Sequence, residues 1–351
     1  MLINNTMYRN QIETVIKDSN LDWSALKGKS VLITGAAGML ASCMVDMLIL
    51  LNESFSYGLD IYALGRTGNK IEKRFGDYTK KDYFHIVEQD ISKPFNLEEK
   101  IDFIVHAASN ASPELMLNYP VDTLLANVIG VNNMLELAVS CKSKLLYVSS
   151  GEMYGQPDET TMENGFYEEY CGYVDYKSPR SCYPSGKRAS EVLCQSFKHQ
   201  YGVHVNIVRP CHCYGPTMTS SDNRAVSQFI RDVMNGKDIV LKSTGELVRS
   251  HCYVVDVAYA MFYVMLKGEN GEAYNIADKN SEVNIKTFAS IVCNTKGKEV
   301  LFDLPSDFEK QSYSKVVRQV LSAKKLENLG WNAMYDLEAG VGSTVKILEE
   351  G

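Results

Sequence analysis

The sequence predicts an α/β protein: a doubly wound, parallel sheet followed by a smaller C-terminal α/β lobe. Three observations predict it. Short, near-continuous apolar runs alternate with helix-length segments, as strands covered on both faces require. A glycine turn joins the first of these runs to a long apolar helix pattern. After Arg209 the elements shorten and the rhythm changes.

Residues 1–28 read as a polar lead-in, helical around Met7–Ser19. Strands are expected at Ser30–Thr34, Asp60–Leu64, Phe84–Gln89, Asp102–Ala107, Lys144–Ser150 and Val203–Arg209. Helices are expected over Met39–Leu51, Glu114–Ser140 and Tyr183–Tyr201. Beyond Arg209 come a helix near Asn223–Asn235, the strand-like "IVLKST", a helix around Asp256–Leu266 and "EAYNIA". This divides the chain into a lead-in (1–28), a dinucleotide-binding domain (29–209) and a mainly substrate-binding lobe (210–351). Segments near 250–276 are expected to return to the main domain.

Bulk properties narrow the function. The 351 residues suffice for one large α/β unit or two packed lobes. A formal net charge of −7 argues against nucleic acid or an anionic membrane as the main partner. Nine cysteines are scattered without a Cys-x-x-Cys pair, and Cys211 and Cys213 flank His212 on a strand whose alternation sends the histidine to the face opposite both cysteines. No metal site is expected. The odd cysteine count and an N-terminus without a signal pattern predict free thiols in a reducing cytoplasm. The apolar runs Met39–Leu51 and Val254–Leu266 are too short to span a bilayer and carry Asp46 and Asp256, so no membrane span is expected.

The polar motifs fall at the carboxyl ends of the strands, where open α/β sheets bind ligands. In "VLITGAAGMLA" Gly35, Ala37, Gly38, Met39 and Leu40 lead from strand to helix, and bare backbone there lets a pyrophosphate reach the helix N-terminus. This is the turn of a Rossmann-type fold. After the second strand a common NAD pattern places a ribose-binding acid; here "ALGRTGNK" supplies Arg66, which suits a 2′-phosphate, so NADP stands beside NAD. Asp90 and Ile91 follow the third strand, Ala107, Ala108 and Ser109 follow the fourth, and Asn127 completes the expected cofactor set.

"YVSSGEMYG" ends the fifth strand with Ser149, Ser150 and Glu152, hydroxyls for a sugar oxygen and a carboxylate for a proton. In "SCYPSGKRASEVL" Tyr183 and Lys187 stand four residues apart and share one helix face. A nearby cation favours phenolate over phenol and would move Tyr183 towards a usable general base. Taken alone, such a pair is as easily surface decoration. Its place at the same sheet edge as Glu152 favours chemistry.

Together "TGAAGMLA", "HAAS", "SSGEMYG", "YPSGK", "RPCHCYGP" and "RSHCYVVDV" resemble the extended short-chain dehydrogenase/reductase family over roughly residues 29–345. "HAASNASP", "PRSCYPSGKRASE", "DNRAVSQFI" and "RSHCYVVD" resemble its UDP-glucuronate decarboxylases segment by segment. The resemblance implies NAD, a nucleotide-sugar substrate and a homodimer paired through the two long helices. It implies Tyr183 and Lys187 as the base pair, Ser150 on the C4 oxygen, Glu152 near C5, and Arg249 as an acid or electrostatic partner. Ser109 and His212 join the expected substrate contacts. Three departures stand out. Gly151 occupies a position where decarboxylases tend to have serine and 4,6-dehydratases aspartate; His212 replaces an expected asparagine; Arg66 replaces the ribose-binding acid. A nucleotide-sugar 4-epimerase or 4,6-dehydratase is the alternative activity, and a non-catalytic dinucleotide sensor the alternative class.

Overall fold

A computed structural model describes residues 1–94, 97–304 and 318–350. The elements in chain order are α1 (Thr6–Asp18), β1 (Ser30–Thr34), α2 (Met39–Phe55), β2 (Asp60–Gly65), α3 (Gly68–Phe75), β3 (Phe84–Glu88), β4 (Phe103–His106), α4 (Pro113–Asn118), α5 (Pro120–Cys141), β5 (Lys144–Val148), α6 (Glu159–Asn164) and α7 (Cys182–Tyr201). They continue as β6 (His204–Pro210), β7 (His212–Tyr214), α8 (Ala225–Met234), β8 (Ile239–Leu241), β9 (Val248–Tyr253), α9 (Val254–Lys267), β10 (Ala273–Ile276), β11 (Glu282–Asn284), α10 (Ile285–Asn294), β12 (Val300–Phe302), β13 (Arg318–Gln319), α11 (Lys324–Leu329) and α12 (Leu337–Glu350).

The main sheet has seven parallel strands in the order β10-β6-β5-β4-β1-β2-β3. The order reverses between β1 and β4, so the crevice beyond their carboxyl ends is the binding position of such sheets. β1 is buried at every residue and β4 likewise, which explains their unbroken apolar runs. At this junction Thr34 Oγ1 accepts from the amides of Ala107 and Ala108, each at 3.1 Å, and lies 2.9 Å from His106 Nδ1. One buried hydroxyl thus fixes how the two strands end beneath the crevice.

The smaller lobe centres on β9, flanked by β11 and β13, with β7 paired in parallel to its other end. From "RSHCYVVDV", Val248–Tyr253 therefore forms a central strand here, and the helix expected from Asp256 begins directly behind it at Val254. α9 then packs against α2, and β10 closes the main sheet beside β6.

Several boundaries differ from expectation for identifiable reasons. The helix expected over Glu114–Ser140 is two: Pro120 has no N–H to continue α4 and instead sits at the first turn of α5. β5 stops at Val148, which frees Ser149 and Ser150 for a loop. "IVLKST" is a strand only at Ile239–Leu241. The lead-in is no polar appendage. α1 buries Tyr8, Ile12 and Val15 against α2, α9 and α12, and the Tyr8 hydroxyl donates to Asp46 at 2.9 Å. Asp46 is fully buried, and Arg74 pairs with it by two hydrogen bonds, so a charge in an apolar helix is here a satisfied core group.

α5 is long and apolar enough to cross a membrane by length and composition, which the sequence reading did not single out. It packs lengthwise on α7 and covers β4 and β5. Its other side, with the loop before it, exposes Tyr119, Val121, Leu124, Leu125 and Ile129.

Candidate active site

A cleft of about 700 Å³ lies beyond the carboxyl ends of β1, β2, β3 and β4. Gly35, Ala37 and Gly38 form its floor, with Arg66 and Lys70 on one side, Asp90 and Ile91 beside them, and Ala107, Ala108 and Ser109 opposite. Gly35 has φ +68°, and a Cβ there would stand 2.9 Å from the Ala108 Cα, so only glycine fits. This leaves bare backbone at the start of α2, a cradle that fits a dinucleotide's pyrophosphate. Thr219 and Ser221 of the smaller lobe also reach the cleft, and no sequence motif had marked them.

Other members of the expected cofactor set stand behind the cleft wall. Asn127 is buried on α5, accepts from Ser109 Oγ at 3.0 Å and donates to the Thr123 carbonyl at 2.7 Å. It supports Ser109 rather than lining the cleft. Met39 and Leu40 open α2 beyond the lining residues; the Met39 carbonyl accepts from Thr217 at 2.9 Å, tying α2 to the other lobe. Asp90 accepts from the Ser92 amide and hydroxyl at 2.9 and 2.8 Å, and those bonds, with Arg66 and Lys93, hold its carboxyl below the usual range.

The β5 loop and the start of α7 meet at the next corner. Tyr183 is buried, with the Ser150 hydroxyl near enough to its phenol to favour the ionised form. Lys187 is also buried; Nζ donates to the Val148 carbonyl at 2.8 Å and lies 5.5 Å from the Tyr183 ring centre. Burial pushes the Lys187 ammonium down to about 7, against the supporting charge of Glu191. Tyr183 departs from expectation. Burial and the Glu152 carboxylate hold its phenol above the ordinary value, while Ser150, Arg224 and Arg180 pull only partly the other way. A desolvated phenol loses more by ionising than these neighbours return. His106, under the same corner, is pushed down to about 3 by burial and Lys187, so it stays neutral.

Ser149 is turned away from the site: its hydroxyl donates to Glu191 at 2.5 Å. Of the two serines, Ser150 is the one that acts on the phenol. Glu152 follows on a 3-10 turn, Gly151–Tyr154, and accepts from Arg180 at 3.0 Å. Arg249 on β9 is fixed in register between Val283 and Gln319. Burial lowers its guanidinium, Glu152 raises it, and among the described residues it makes no ion pair or side-chain hydrogen bond. His212 sits opposite His251 on the paired strands, with ring centres 6.1 Å apart. Burial, then Arg249, His251 and Arg224, keep His212 well below its ordinary value and neutral.

Sequence reasoning passed over Arg180 and Arg224. Arg224 is bound to Asp222 by several hydrogen bonds, 2.9 Å at Nε, and its charge acts on both Tyr183 and His212. Both arginines stood inside quoted motifs, "PRSCYPSGK" and "DNRAVSQFI", so the signal was present but unassigned. Leu321 had no signal at all. A Cβ on Gly151 would meet its methyl carbons at 3.1 and 3.2 Å, so the space of the missing side chain is filled from the C-terminal segment. Gly151→Ser is therefore expected to cost about 1–3 kcal/mol in chemical unfolding by overpacking. Adding Leu321→Ala should recover most of it; unchanged stability in the single variant would contradict the contact.

The NAD dependent epimerase/dehydratase family model matches residues 31–277. The chain is 32% identical to UDP-glucuronic acid decarboxylase 1 of Xenopus tropicalis over 90% of this chain and 71% of that protein. It is 34% identical to UDP-glucuronic acid decarboxylase 6 of Arabidopsis thaliana over 69% of this chain and 67% of that protein. Its fold is similar to UDP-glucose 4-epimerase of Thermotoga maritima, with TM-score 0.75 and 22% identity, covering 92% and 99% of the two chains. It is equally similar to a dTDP-glucose 4,6-dehydratase from Bacillus anthracis in complex with NAD, with TM-score 0.75 and 23% identity, covering 92% and 97%. A parallel sheet with a glycine-floored cleft, a buried Tyr183–Lys187 pair beside it and this match over most of its length place the chain in the NAD dependent epimerase/dehydratase family.

Proposed function

We propose that this protein decarboxylates a UDP-linked hexuronic acid, with UDP-glucuronate as the leading substrate and NAD as the retained cofactor. The observation that carries the reading is the convergence of Tyr183, Ser150 and Glu152 with Arg249, a cation unpaired among the described residues, at one corner. When bound, NAD would supply the site that takes up the hydride of the sugar's C4 and gives it back within the same turnover. Tyr183 takes the C4 hydroxyl proton and later gives it back, and Ser150 hydrogen-bonds the same oxygen. The C4 ketone lies β to the C5 carboxylate and takes up the electron pair as carbon dioxide leaves. Arg249, a forked cation with no ion pair among the described residues, holds the anionic end of the substrate. Glu152 handles the proton exchanged at C5.

Gly35, Gly38 and Ala107–Ser109 would hold the dinucleotide, with Lys187 buried beside Tyr183 on α7. The NAD of the Bacillus anthracis neighbour supports NAD, while Arg66 and Lys70 in the cleft keep the phosphorylated form as the second choice. Thermal shift with NAD against NADP discriminates them.

The primary test incubates the protein with UDP-glucuronate and NAD and measures carbon dioxide and UDP-pentose. Conversion to UDP-galacturonate without gas would assign a 4-epimerase instead, a reaction that begins with the same Tyr183 step. Stabilisation by NAD but not by UDP would mark a dinucleotide sensor. We also propose that the apolar side of α5 is covered by a second copy in a cytoplasmic homodimer; elution at the monomer mass would refute it.

A further inference from the structure

The helix that carries Tyr183 and Lys187 also grips the loop that carries Ser150 and Glu152, and it does so one turn further on. Glu191 is buried on α7 and accepts from Ser149 Oγ at 2.5 Å. Arg209 on β6 closes on the same carboxylate, Nε to Oε1 at 3.0 Å and Nη2 to Oε2 at 2.6 Å. Its remaining Nη1 donates to Tyr154 Oη at 2.8 Å, at the other end of the loop, and Tyr154 donates on to Asn275 at 2.7 Å. Next along α7, Arg188 donates to the carbonyls of Met153, Tyr154 and Gly172 at 2.6, 3.0 and 2.7 Å. Both ends of Ser149–Tyr154 are therefore tied to α7 by charge-assisted bonds, the strongest class of hydrogen bond, buried at Glu191 and part-buried at Arg188.

We propose that Glu191 is a positioning residue that locks the Ser150–Glu152 loop to the base-bearing helix and stands as the counter-charge of Lys187. This rests on the reading of Tyr183 and Ser150 as reacting groups. A buried ion pair adds little net stability over a packed apolar pair, but it fixes one arrangement of the groups it joins. Here that arrangement sets how Ser150 meets the Tyr183 phenol. Glu191 is four residues beyond Lys187, hence on the same face. The other titratable groups facing Lys187 are Tyr183 and Cys194 of α7, Tyr147 of β5 and His106 of β4. Among the described residues, Glu191 is the one carboxylate that acts on Lys187.

Two measurements without sugar or cofactor test this, so they remain readable even if decarboxylation is refuted. Hydrogen exchange of the 149–155 peptide should be at least tenfold faster in Ser149→Ala and in Glu191→Gln/Arg209→Met than in the unmodified chain, with β1 and β4 unchanged. The double variant removes the Arg209 guanidinium together with the carboxylate it pairs with, and stands in should Glu191→Gln alone fail to fold. In protein labelled with carbon-13 lysine, the Lys187 side-chain titration should fall by one pH unit or more in both Glu191 variants and stay in place in Ser149→Ala. Unchanged exchange in both loop variants, or a Lys187 midpoint indifferent to the Glu191 charge, overturns the assignment.

Discussion

Tyr183→Phe is expected to lower kcat with UDP-glucuronate by about 10²- to 10⁴-fold, the range of a lost general base. The fold should persist, because the ring remains buried and only the hydroxyl is lost, no more than one hydrogen bond's worth of about 0.5–1.5 kcal/mol in unfolding. The same residue sets a pH dependence. Burial and Glu152 raise the phenol in the chain itself, so at neutral pH its protonated form dominates, and kcat should climb as pH rises on the acid side. Removing the raising charge with Glu152→Gln should carry that limb to lower pH, whatever it does to the maximum rate. A limb moving to higher pH would show that Glu152 does not act on Tyr183 as the geometry has it.

Arg249→Met separates function from stability. A guanidinium partly removed from water, with no ion pair among the described residues, carries a desolvation cost that folding must meet. Methionine of similar length relieves that cost, so unfolding stability should hold or rise. Activity should move the other way, with kcat/KM lower by about 10²-fold or more, since a substrate anion would face an uncharged wall. Because β11 and β13 fix the β9 backbone at this position, the loss belongs to the side chain and not to a displaced strand. Loss of stability together with activity would recast Arg249 as an ion-pair partner joining the lobes.

The strands Ser30–Thr34, Asp60–Gly65 and Phe84–Glu88 were legible nearly to the residue, because each is a short apolar run bounded by polar or glycine residues. Gly35 was legible for a similarly local reason: a strand, a turn and a helix follow one another within a few residues. β9 was harder. "VRSHCY" has no apolar alternation, and it is a strand because β7, β11 and β13 supply its hydrogen bonds from three distant parts of the chain. The lead-in misled for a related reason: the polar residues of α1 outnumber its apolar ones, yet Tyr8, Ile12 and Val15 share the one face that meets the core.

By itself the sequence determined the sheet, its glycine-floored crevice and the tyrosine–lysine pair, because these depend on residue type and spacing within single elements. Only the tertiary structure decided what each polar side chain meets. It turned Ser149 towards Glu191 and Ser150 towards Tyr183, filled the space beside Gly151 with Leu321, and left Arg249 facing Glu152. It also reversed the expected effect on the Tyr183 phenol. Spacing along a helix places a cation nearby, but the cost of withdrawing a charge from water depends on everything packed around it, and that is a property of the whole fold.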